Sequence, residues 1–116
     1  MKNLKNKVQL IGNLGSDPEV KQLESGKTVA KLPLATSEAY INSDDEKVTD
    51  TQWHNLVAWG KTAEFAEKYL KKGDKIAVEG KLVYRSYEDK EGIKQYVTEI
   101  LVNEFLMLGS KDKASD

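Results

Sequence analysis

The sequence predicts an all-β chain folded as a small five-stranded Greek-key barrel, with one α-helix between the third and fourth strands. Three observations carry that prediction. A periodicity of two dominates the chain, as half-buried strands require. One segment, Thr62–Lys72, breaks it with helical spacing. Turn formers fill the gaps between the periodic segments. Three strands, a helix and two strands, in that order, are the signature of the OB-fold.

The first strand is Val8–Leu14, closed by the turn-forming run Gly12–Pro18. The second is Thr28–Thr36, where Ala30, Leu32 and Leu34 share one parity and Lys31 lies on the other. Pro33 has no N–H to give a ladder, so it belongs at an edge or a bulge. Asn42–Lys47 is polar and turn-rich, an exposed loop before the third strand, Thr51–Trp59.

In Thr62–Lys72, Phe65, Ala66, Tyr69 and Leu70 fall at the spacing of an amphipathic helix of about three turns. Thr62 is its expected N-cap. Lys68, Lys71 and Lys72 suit the negative end of the helix dipole, and Gly73 is the expected left-handed terminator. Ile76–Tyr87 and Tyr96–Leu108 are the fourth and fifth strands, joined through the tip Glu88–Gly92. One domain, 1–108, is expected, followed by a disordered tail at 109–116 with no apolar residue larger than alanine.

Composition excludes several chemistries. With 116 residues the chain holds one ordinary domain. It has no cysteine and a single histidine, His54, so neither thiolate zinc sites nor a His-rich metal cluster can form. Lys and Arg number 18 against 19 Asp and Glu, a net charge of −1, which does not advertise an anionic partner. The N-terminus lacks a secretory apolar core. No run of about 18 apolar residues offers a membrane helix, leaving the cytoplasm as the default expectation.

Gly60-Lys61-Thr62 stands between a strand and a helix, where a phosphate loop would stand. That loop needs a glycine five residues before its Gly-Lys pair, and position 55 is Asn. The Gly12/Gly15 pair fits a turn better than a phosphate cradle. A nucleophile–base pair would have to join Ser or Thr to His54. His54 alternates with Trp53 and reads as a barrel or interface residue. The carboxylates cluster in the 44–46 and 88–91 loop tips. No enzyme, cofactor or metal is expected.

The large aromatics are more informative. Trp53 and Trp59 share a parity and project from one face, roughly 20 Å apart. Asn55 and Val57 lie between them, while Leu56 and Ala58 take the opposite, core-forming face. In the fourth strand Ile76, Val78, Gly80, Leu82 and Tyr84 share one parity. If that set is core, Lys81, Arg85 and Tyr87 stand outside together. Aromatics beside cations suit single-stranded nucleic acid, since any base stacks and cations follow the phosphates. Pattern alone leaves a second reading open, with both tryptophans in a core or subunit contact. Residues 1–85 carry 14 basic and 12 acidic side chains, net +2, and 86–116 carry 4 and 7, net −3, so the barrel body is mildly cationic.

The run Asn6–Val20 resembles the opening of the bacterial single-stranded DNA-binding protein family. Leu34–Tyr40, Thr51–Lys61, Ala66–Gly73 and Val78–Leu82 match in order, so the resemblance covers roughly residues 6–108. It implies an OB-fold homotetramer in the bacterial cytoplasm, with the nucleoid. Such a protein coats single-stranded DNA without strong sequence preference in replication, recombination and repair. The family's stacking aromatics fall on Tyr40, Trp53, Trp59 and Tyr87; Tyr40 and Tyr87 stand where the family often has Trp. His54 falls at a subunit contact. Lys7, Lys31, Lys61, Lys72, Lys81 and Arg85 are the cations expected nearest DNA. Family members usually continue into a linker with an acidic tip that recruits other DNA-metabolism proteins. This sequence stops at Lys111–Asp116 without one, so those partners are not carried over. The rival reading is an OB-like assembly module with no DNA binding of its own.

Overall fold

The computed structural model of the chain describes residues 4–109. Its elements are β1 (Val8–Leu14), β2 (Glu19–Gln22), β3 (Thr28–Ile41), β4 (Lys47–Trp59), α1 (Gly60–Tyr69), β5 (Lys75–Glu88) and β6 (Lys94–Gly109). β1, β3, β4, β6 and β5 close in that order into a barrel, because β1 pairs with both β3 and β5. β4 meets β6 in parallel, at Leu56↔Ile100 and Val57↔Leu101, while the other pairings are antiparallel. The five-stranded barrel with its helix between the third and fourth barrel strands is the architecture expected.

Strand alternation fills the interior. Ala30, Leu32 and Leu34 of β3 point inward with Leu56 and Ala58 of β4, Ile76 and Val78 of β5, and Ile100 and Val102 of β6. One end is plugged by Ala63 and Ala66 of α1 and by Leu70 just beyond it. Each fully buried leucine stabilises the fold by about 1.5–3 kcal/mol relative to exposure. Curvature needs close backbone approach at two points. A Cβ on Gly12 or Gly80 would lie 2.2 Å from the carbonyl oxygen of Ala35 or Leu101. At the second point the register shifts between Glu79 and Gly80, because β6 carries one extra residue, Asn103, opposite them.

Pro33 sits where the sequence requires. β2 covers β3 only over residues 28–31, and β1 takes over at Leu34. The Pro33 carbonyl accepts from the Gly15 N–H at 3.0 Å, so its missing donor faces that gap between partners rather than β4.

Five details differ from expectation. β2 has no counterpart among the expected strands; only Val20 of its four residues is partly buried, and it pairs with β3 alone. β1 keeps its expected bounds, whereas β3, β4, β5 and β6 run longer, because β3–β4 and β5–β6 project past the barrel as two hairpin arms. α1 begins at Gly60 with Trp59 as N-cap, so Thr62 is inside the helix and caps nothing. Leu70 ends the helix in extended backbone, which leaves Lys71, Lys72 and Gly73 in the following turn with only Lys68 in the last helical turn. Along β5 the inward set holds from Ile76 to Leu82 and fails at Tyr84, which is 72% exposed on the arm. Alternation persists there after the barrel has ended. Gly109 closes β6, and 110–116, the remainder of the expected tail, lie outside the described residues.

Candidate functional site

The barrel's outer wall over β3, β4, β6 and β5 gathers most of the residues singled out by parity. Register places Lys31, Val57, Leu101 and Lys81 in one cross-strand row, a lysine at each end and apolar side chains between. On the same outward parity Trp59 stands opposite Val29 and Trp53 opposite Ala35. Trp53 is 63% exposed, Trp59 43% and Tyr87 49%, so none of them belongs to this chain's core.

Trp53 is held from beneath. A Cβ on Gly15 would lie 2.5 Å from Cζ3 and 2.8 Å from Cη2 of the indole. The ring therefore rests on the bare α-carbon of Gly15, one step from the Pro33 ring, with its outer side open to solvent. That is a π-surface already fixed in orientation. Beside Trp59 the wall sinks into a trough of about 390 Å³, whose floor is Val29, Val57, Val83 and Leu101 and whose rim carries Lys31, Arg85 and Glu99. A second hollow of about 380 Å³ adjoins it along Lys31, Val57 and Glu99.

Charge on this wall is partly spoken for. Arg85 donates from Nε to Glu99 Oε1 at 2.9 Å and from Nη2 to Oε2 at 3.1 Å. The hydrogen bonds and charge of Glu99 hold the guanidinium protonated beyond its ordinary range. Lys7, just before β1, pairs with Glu79 at 3.3 Å. Among the described residues Lys31, Lys61, Lys72 and Lys81 have no ion pair. Lys61 lies in the first turn of α1 and Lys72 in the α1–β5 turn, where its amide donates to Asp17, so both stand off the row.

Tyr40 is placed differently from the tryptophans. It pairs with Val48 on the inward parity of β3, past the barrel end on the β3–β4 arm, and is 52% exposed. The structure thus brings together Trp53, Trp59, Tyr87, Lys31, Lys81 and Arg85, with Tyr40 on the other side of its ribbon. His54 is half-buried on that inward parity, and its Nε2 meets Thr36 Oγ1 at 2.9 Å. This hydroxyl–imidazole contact ties β3 to β4. Among the described residues no carboxylate hydrogen-bonds the ring to orient it as a base, and no cluster of metal-binding side chains occurs.

Several contributors escaped sequence reasoning. Gly15 reads as a turn residue, yet it supports Trp53. Glu99 is an acid on a wall where the sequence pattern points to cations. Tyr84 and Tyr96, 72% and 77% exposed, lie on the inward parity of the β5–β6 arm; the core set expected of the fourth strand includes Tyr84, and Tyr96 enters only as the start of the fifth strand.

Comparison with known proteins adds an independent line. The model of the single-strand binding protein family matches residues 5–108. Single-stranded DNA-binding protein 1 of Chlorobaculum tepidum is 48% identical over 108 residues, covering 92% of this chain and 67% of that protein. The single-stranded DNA-binding protein of Bacteroides thetaiotaomicron is 46% identical over 108 residues, covering 91% and 67%. That of Neisseria meningitidis serogroup A is 42% identical over 110 residues, covering 95% and 63%. The chain therefore spans about two thirds of the length of these relatives. Among solved structures, the Plasmodium falciparum SSB complex with ssDNA superposes with a TM-score of 0.82 at 30% identity, covering 93% of this chain and 98% of that one.

Proposed function

The chain belongs to the single-strand binding protein family, and from that premise we propose that it coats single-stranded DNA without sequence preference, using the outer wall of β3, β4, β5 and β6. The observation that carries the reading is the pair of exposed indoles on one strand face, with a lysine at either end of the row beside them. Bases stack on Trp53, Trp59 and Tyr87, each stack contributing about 1–3 kcal/mol whatever the base. Tyr40 meets the strand where it follows the β3–β4 arm. Lys31 and Lys81 lie under the phosphates, with Lys7, Lys61 and Lys72 flanking the path. The protein acts by binding rather than turnover and protects strands exposed in replication, recombination and repair.

Self-association, as a homotetramer, is part of the proposal. Ile11, Ala77 and Leu106 form an outward row across β1, β5 and β6, with Ile11 52% and Leu106 63% exposed. β1 pairs with β3 only through Asn13 and Leu14, so residues 8–12 offer a strand edge on that side. An open edge beside an apolar face favours pairing with another copy. The family resemblance also assigns His54 to a subunit contact. No helix among the described residues is long and apolar enough to cross a membrane; the site of action proposed is the bacterial cytoplasm, on the nucleoid.

Fluorescence anisotropy of a labelled oligo-dT, against the matching duplex at two salt concentrations, tests the reading. Tight binding of the single strand alone, weakening as salt rises, is expected, because neutralised phosphates release counterions. An intact oligomer that binds neither would favour the assembly-module reading.

A further inference from the structure

A carboxylate lies near the middle of a wall proposed to bind a polyanion. Glu99 lines both hollows, and its side chain is only 11% exposed. Both of its oxygens are taken by Arg85, whose side chain is 45% exposed. Sideways pairing through Nε and Nη2 uses two of the five N–H donors of a guanidinium and leaves three on the far edge. The pair as a whole carries no net charge.

Handing Arg85 to a phosphate would strand the Glu99 carboxylate in a largely covered position. Stranding one member of a covered pair is far more costly than the pair itself is favourable. Lys31 and Lys81 face no such obstacle. Neither has a carboxylate partner among the described residues, and an ammonium on a flexible stem serves well as a phosphate counter-charge. A guanidinium held flat by a carboxylate offers bases something different, a planar face and a fixed row of donors.

We infer that Glu99 is a positioning residue that withholds Arg85 from the phosphate backbone and turns it into a base contact beside Trp59. The inference rests on the proposed function and divides the wall's labour, with lysines reading phosphate and the Arg85–Glu99 pair facing bases.

Salt dependence separates the two roles, because each phosphate neutralised on a single strand adds about 0.7 to the slope of log K against log salt. The chain, Glu99→Gln and the double variant Arg85→Gln/Glu99→Gln are titrated with labelled oligo-dT across a range of NaCl. Glu99→Gln frees the guanidinium, so its slope steepens by about 0.7 and binding at low salt tightens. The double variant keeps the slope of the unaltered chain while its affinity falls by about two- to tenfold, the worth of a lost base contact. It also replaces the pair by two neutral amides, so no buried charge is left alone if Glu99→Gln folds poorly. The opposite pattern overturns the inference: an unchanged slope in Glu99→Gln and a loss of about 0.7 in the double variant mean that phosphate already claims Arg85. Unchanged slope and affinity in both variants also overturn it and reduce the pair to a structural tie. If the unaltered chain does not bind oligo-dT, the functional reading itself has failed, which is distinguishable from both patterns.

Discussion

Alanine at Gly15 probes how Trp53 is presented while leaving the tryptophan itself unsubstituted. The added Cβ would lie 2.5 Å from Cζ3 and 2.8 Å from Cη2, whereas ordinary contact begins near 3.4 Å, so the ring must retreat by close to an ångström. The backbone can accept the change: Gly15 has no left-handed φ, and its N–H keeps its bond to the Pro33 carbonyl. Because the indole is 63% exposed it can swing aside, and the barrel interior is undisturbed. Folding stability should therefore move by less than about 1 kcal/mol, with reduced freedom of the unfolded chain acting in the stabilising direction. Binding should suffer instead. A complete loss of one stacked base costs about 1–3 kcal/mol, and a tilted ring keeps part of that. A weakening of about fivefold, near 1 kcal/mol, is expected for oligo-dT in an anisotropy titration at low salt. Trp53→Ala should weaken binding more, and adding Gly15→Ala to it should cost nothing further, since both changes act through the same ring. Unaltered affinity in Gly15→Ala, or full additivity with Trp53→Ala, would refute the idea that Gly15 sets the platform.

Three further outcomes follow from the structure. Leu56→Ala empties a fully buried position in the barrel and should lower stability by about 2–5 kcal/mol in urea unfolding, without specific loss of DNA affinity in the folded fraction. Ile11→Arg or Leu106→Arg should dissociate the oligomer in sedimentation experiments, and an unchanged mass would remove the Ile11–Ala77–Leu106 row from the subunit contact. Asp89 accepts hydrogen bonds from the Ile93 amide, from Gln95 and from the Glu91 amide, which hold its carboxyl below the usual range of about 3.9. Its folded value is the depressed one, so its contribution to the β5–β6 tip is complete above about pH 4 and fades as pH falls through that lower value. Protection of the Ile93 amide should follow that acid limb, and Asp89→Asn should abolish it.

Parity made the barrel legible because a period of two maps directly onto in and out wherever a strand has a core on one side. Leu32, Leu34, Leu56, Ile76 and Val78 obey it. The rule lost its meaning on the arms, where Tyr84 alternates in step with the core but has only solvent to face. β2 left little trace, since Val20 alone gives it an apolar side chain. Leu70 keeps helical spacing with Ala66 and still donates its N–H to the Ala66 carbonyl, so its turn into extended backbone could not be read locally. The exposed tryptophans emerged from parity and from resemblance alike. Glu99 could not, because its partnership with Arg85 is a diagonal contact between strands that exists only once the β5–β6 register is known. Gly15 needed the third dimension as well, lying beyond the end of β1 and touching a ring 38 residues further on.

The most direct test of the central claim is intrinsic fluorescence quenching by oligo-dT in Trp53→Phe and Trp59→Phe, each of which leaves a single indole. Both variants should show strong quenching by the single strand that reverses with salt, and neither should respond to duplex. A tryptophan that stays bright while labelled oligo-dT demonstrably binds is not a stacking platform, and silence from both would move the DNA path off this wall.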